Sequence, residues 1–143
     1  MTKILLIAGG ILNTLFCIFH VFLGYQIHSL MHLAPPVRAL LEALNAGGAL
    51  FILFFAYASL LRGAELMETG LGRAVLALVS VLYLSRAAEE FFLFQFTPII
   101  FAGCLLVGAI YVTLFAIAPR KSPAPPLEVV EIESVWREHL TTA

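Results

Sequence analysis

Four long apolar runs, set apart by proline and glycine, constrain this chain more than any other feature. They cover residues 4–28, 39–61, 74–94 and 98–118. Crossing the ~30 Å hydrocarbon core of a bilayer as a helix takes ~20 residues, a length each run reaches or passes. Backbone polar groups in hydrocarbon must be satisfied internally, so such runs span as helices. Pro35-Pro36 separates the first two, Gly70-Leu71-Gly72 the next two, and Thr97-Pro98 the last two. A proline pair disfavours continued helix on both sides. Short connections place neighbouring helices antiparallel. The expected fold is therefore all-α: an integral membrane four-helix up-down-up-down bundle over residues 1–121, followed by a tail over 122–143.

Composition excludes the alternatives. The chain is 62% hydrophobic and 12% charged, against roughly 45–50% and 25% in soluble domains. A net charge of -1 and eight scattered basic residues leave no basic face for nucleic acid. Cys17 and Cys104 stand in apolar runs without a CxxC spacing and read as packing thiols. The run after Met1-Thr2-Lys3 continues to about Phe22 without an evident small-residue cleavage site, so it reads as a retained span.

Lys3, Arg62, Arg73 and Arg120-Lys121 fall on one side of such a bundle, with only Arg38 opposite. The positive-inside rule then makes both termini cytoplasmic, and the expected location is a plasma or inner membrane. In the tail, Pro123-Ala124-Pro125-Pro126 is a stiff spacer. The mixed segment beyond it reads either as a short interfacial helix or as a frayed acidic end.

Within the third run stand Arg86, Glu89 and Glu90. An ionised side chain at mid-membrane costs about 2.5–3.5 kcal/mol unless it finds a partner or water. At 1.5 Å per residue, His20 lies ~25 Å above Lys3, Arg86 ~20 Å above Arg73, and Asn45 and Glu42 ~26–30 Å above Arg62. The polar residues thus share the outer half, and the inner half carries almost nothing ionisable. Arg86 reaches Glu89 and Glu90 at helical spacings of three and four, which leaves one negative charge over. A proton, His20, Arg38 or an external metal could balance it. The expected cavity comprises His20, Glu42, Asn45, Arg86, Glu89 and Glu90, and it binds a metal ion or a small polar or lipid head group.

For a divalent metal the candidate ligands are His20, His28, His32, Glu42 and Glu89, a nitrogen and oxygen set that zinc, iron or copper accept. The Glu-x-x-His pairs of bundle di-iron sites are absent from the sequence. Haem between helices is disfavoured, because the membrane histidines all belong to the first run or its exit. Retinal is disfavoured because a Schiff base needs an intramembrane lysine, and the only lysines are Lys3 and Lys121. A proton-coupled carrier is a second reading. The chain resembles small multidrug transporters in size and span count alone, since those depend on a glutamate in the first helix, where this chain has Asn13 and His20.

Proton transfer on a lipid or quinone through His20 is chemically sufficient, but no nucleophile motif accompanies it, and Ser85 reads as bonded to its own helix. A structural or assembly subunit is the third reading. Ala43, Ala46, Gly47, Gly48 and Ala49, with Gly103 and Gly108, allow close helix approach within a homo-oligomer or larger membrane complex. The many phenylalanines read chiefly as lipid-facing or packing residues.

Overall fold

The computed structural model describes residues 1–30, 32–92 and 96–119, and every regular element among them is an α-helix. Helix α1 spans Thr2–Ser29, α2 Pro35–Leu61, α3 Gly63–Glu68, α4 Gly70–Phe92 and α5 Pro98–Ile117. All but α3 are long and apolar enough to cross a membrane, which marks the chain as a membrane protein. The tail over 122–143, the pair Arg120-Lys121 and Gln95 lie outside the described residues.

The helix starts follow from proline chemistry. Helix α2 opens on Pro35, ahead of its apolar run, with prolines in its first turn. There the missing N–H has no intrahelical partner to lose, and the fixed φ suits the helix. The pair therefore starts α2 as well as stopping α1. Helix α5 opens in the same way on Pro98, after Thr97 as N-cap.

The second connection is more than a glycine turn. It holds α3, a six-residue helix too short to show a readable apolar period. Leu66 is buried, and Leu6 of α1 packs beside Gly63. A Cβ on Gly72 would meet the backbone of Glu65 and Leu66 at 2.3–2.6 Å, so only glycine lets α4 start this close to α3. Thr69 adds a cap: its hydroxyl donates to the Glu65 carbonyl at 2.8 Å and accepts the Gly72 N–H at 2.9 Å. Both bonds satisfy backbone groups that a helix end leaves open.

Helices α1 and α2 pack along their length, as do α4 and α5, while α1 also touches α5. Gly10 lies against Leu60, Cys17 against Ala49 and Gly24 against Asn45, so numbers rise on α1 as they fall on α2. Leu76 and Val79 of α4 meet Val107 and Leu114 of α5 in the core, with Phe55 and Leu66 closing it towards α3. Arg73 ties the ends of that pair, donating to the Ala118 carbonyl at 2.6 Å with its guanidinium 4.4 Å from the Phe115 ring centre. At the opposite end Phe91, Phe96 and Phe101 form an aromatic clasp, with ring centres 5.0–5.5 Å apart. Helices α2 and α4, by contrast, scarcely touch. That gap positions the site.

Candidate functional site

The expected polar residues separate into three groups. His28 and Glu42 pair at 3.0 Å, with Arg38 Nε 4.0 Å from the same carboxylate. This group clasps the end of α1 to the start of α2 and is well exposed, His28 by 70%. Its location follows from α2 beginning at Pro35, which lifts Glu42 only two turns into the helix. Glu42 therefore does not join His20. His32 is exposed in the connection between the helices.

The second group is His20 with Asn45, deeper between α1 and α2. The His20 Nδ1 lies 2.9 Å from Asn45 Oδ1, and Asn45 Nδ2 donates to the His20 carbonyl at 2.9 Å. One end of the amide thus holds the imidazole and the other the backbone of the same residue. Gly48, one turn along α2, lies beside the ring, where a Cβ would make an ordinary contact with His20 Cε1 at 3.4 Å.

The third group is Arg86 with its two carboxylates. Glu90 is 1% exposed and meets Arg86 Nη2 at 2.6 Å, while the Glu89 carboxylate, 43% exposed, stands 3.8 Å from Nη1. Glu90 also accepts the Thr97 N–H at 3.0 Å. It thereby links the end of α4 to the start of α5, where an acidic group suits the helix dipole. The inward carboxylate is therefore committed to the fold. The outward one, Glu89, stays open to the surroundings.

His20 of the second group and Arg86 of the third line one cavity of about 500 Å³, lying where α2 and α4 stand apart. Gly48, Phe51, Ile52 and Phe55 form its α2 wall, and Leu78, Leu82, Tyr83 and Arg86 its α4 wall. Phe16, Phe19 and His20 of α1, with Cys104 of α5, complete the lining. From Leu78 to Arg86 the groove extends ~12 Å along α4. Its lining is mainly aromatic and aliphatic, and His20 and Arg86 belong to the part of it away from α3. Phe51, Leu78 and Leu82 remain substantially exposed, so the groove opens sideways.

Beneath it lies a buried polar cluster drawn from all four long helices. Asn13, fully buried, donates to the Gly9 carbonyl at 2.8 Å and to the Tyr111 hydroxyl at 2.9 Å. Tyr83 donates to Asn13 Oδ1 at 2.7 Å, and Ser59 bonds the Tyr111 hydroxyl at 2.5 Å. Gly9 makes room for the Tyr111 ring, whose atoms lie 3.1–3.2 Å from where a Cβ would be. The sequence carries one signal for this cluster: Asn13 and Tyr83 lie at matching heights, each ~15 Å from the basic residue that opens its helix. Tyr111 and Ser59 give no such sign, since a tyrosine or serine in an apolar run is common.

The candidate metal ligands do not converge. Of His20, His28, His32, Glu42 and Glu89, only His28 and Glu42 are bonded to each other, and among the described residues no three His, Cys, Asp or Glu side chains are grouped to hold an ion. Both cysteines are free thiols, Cys104 buried. Ser85 bonds the Leu82 carbonyl of its own helix at 3.0 Å. Compared with protein-family models, with curated proteins and with solved structures, the chain matches none.

Proposed function

We propose that this is an integral protein of the plasma or inner membrane, an up-down-up-down bundle with both termini cytoplasmic, that takes a small lipid-like amphiphile sideways from the bilayer. The tail lies along Phe16, Phe51, Phe55 and Leu82, and the polar head meets His20 and Arg86. The observation that carries this reading is the polarity of the groove: ~12 Å of apolar wall ending in two hydrogen-bonding groups. Of the ligand classes considered for an outer-half cavity, a lipid head group fits such a wall and a metal ion does not use it. The antiparallel order of α1 and α2 contacts supports the topology, and the basic residues at the α3 end support the orientation.

The structural-subunit reading is favoured by one observation, the mutual hydrogen bonds of His20 and Asn45, which need no ligand. Native mass spectrometry of the protein released from membrane-derived discs separates the two. We expect an adduct of amphiphile mass that is lost in Leu82→Trp, a variant that fills the groove from an exposed position and leaves the unfolding midpoint within a few degrees. Release without any adduct, together with no displaceable binding of a fluorescent fatty-acyl probe, sinks the amphiphile reading and leaves the structural one.

A further inference from the structure

Aromatic rings on the groove's walls pair within a wall and not across it. On one side the ring centres of Phe16 on α1 and Tyr83 on α4 are 5.5 Å apart, with the planes at 56°. On the other, those of Phe51 and Phe55 on α2 are 6.5 Å apart, with the planes at 36°. All four residues line the same cavity. Among the described residues no ring contact joins one pair to the other, so each pair borders the space between α2 and α4 without a ring partner across it.

Two of these rings are held by the rest of the fold. Tyr83 is buried, and its hydroxyl donates to Asn13 Oδ1 at 2.7 Å. The polar cluster therefore fixes the phenol end, and the ring serves as wall. Phe55 is buried too, with the Phe54 ring edge-on to it at 6.0 Å. Phe51, by contrast, is exposed on the open side of the groove. Apolarity alone does not select a ligand for such a site, because a saturated chain gains little on leaving lipid for an equally apolar wall. A flat conjugated ring gains more, since offset and edge-on contacts with aromatic neighbours add to simple burial.

Resting on the amphiphile reading of the groove, we propose that its ligands carry a flat conjugated ring, which enters between the Phe51–Phe55 pair and the Phe16–Tyr83 pair. Lipid-soluble quinones are the membrane's own compounds of this class, and foreign aromatic amphiphiles are the others. Three alcohols with the same head and the same number of carbons test the assignment: dodecan-1-ol, 2-(decahydro-2-naphthyl)ethanol and 2-(2-naphthyl)ethanol. The first is a saturated chain, the second a saturated ring and the third a flat conjugated one. Each competes with tritiated dodecan-1-ol for detergent-solubilised protein, at equal mole fraction in the micelle. The naphthyl compound is expected to displace the label about tenfold better than either saturated one, a ratio within the reach of two aromatic contacts. The preference shrinks in Phe51→Leu and is kept in Phe51→Tyr, while displacement by unlabelled dodecan-1-ol is unchanged in both. Because Phe51 is exposed, these variants fold as the parent does. The source of the ring is read from protein released from membrane-derived discs: a resident adduct with quinone absorbance marks the membrane's own compound, and an empty groove that prefers the naphthyl alcohol marks a foreign one. Equal displacement by all three alcohols, a preference for a saturated one, or a resident adduct of purely acyl composition overturns the ring assignment and leaves the groove as an amphiphile site. Protein that binds neither tritiated dodecan-1-ol nor the naphthyl compound overturns the groove reading itself.

Discussion

Glu89 and Glu90 are adjacent in sequence and alike in chemistry, yet they sit ~100° apart around α4, and that rotation gives them different tasks. Glu90 is 1% exposed and bonds Arg86 and the Thr97 N–H, whereas Glu89 is 43% exposed and stands farther from Arg86. Glu90→Gln weakens a charge-assisted bond in a buried setting and is expected to destabilise the protein by about 1.5–3 kcal/mol. Glu89→Gln is expected to cost under about 1 kcal/mol, the usual worth of an exposed pair. Unfolding midpoints in a denaturing-detergent titration measure both, and equal losses would contradict the division of roles. Asn13 belongs at this scale too. Its amide uses both ends, accepting from Tyr83 and donating to Tyr111 and Gly9, so a fully buried polar side chain is answered at both its oxygen and its nitrogen.

Among the elements, α3 is the one the apolar pattern does not announce. Six residues cannot show a period, and its reason for being helical lies outside itself: Leu66 is buried, and Gly72 permits the backbone of α4 to pass at contact distance. Gly72→Ala is therefore expected to cost about 1–3 kcal/mol through overpacking against backbone that cannot move aside, and to open α3 to proteases that cleave after Arg62 or Glu65. Gly47→Ala makes the contrast. A Cβ there meets nothing within 4 Å, and replacing a mid-helix glycine is expected to stabilise α2 by about 0.5–1 kcal/mol. If Gly47→Ala instead disrupts an assembly seen by size-exclusion chromatography, that face is covered by another copy or a partner. The small residues of α2 thus point in two directions: Gly48 lies beside His20, and Gly47 meets nothing within 4 Å.

At the scale of the molecule, two helix pairs joined by α1 and α5 leave α2 and α4 apart, and the groove is what this arrangement leaves over. The proposed orientation has its own test in cysteine labelling on a Cys17→Ser/Cys104→Ser background. A membrane-impermeant maleimide is expected to label Leu33→Cys in intact cells and to reach Glu68→Cys only after permeabilisation. Labelling in the reverse order would invert the bundle and place the His20 and Arg86 end at the cytoplasmic face.

The sequence by itself determined the four apolar helices, their approximate limits and the pairing of Arg86 with carboxylates three and four residues on. These depend on local quantities: run length against bilayer thickness, proline stops and the 3.6-residue turn. The tertiary structure alone decided which polar residues meet. Depth arithmetic puts His20, Glu42 and Asn45 near one level, but a height says nothing of the rotation of one helix against another. The real partnerships, His20 with Asn45, Glu42 with His28, and Glu90 with the start of α5, depend on that rotation. The same holds for Asn13, Ser59, Tyr83 and Tyr111, scattered across the chain and brought together only when four helices pack. It holds most of all for the groove, which exists because two helices do not touch, and no single stretch of sequence encodes a gap between two others.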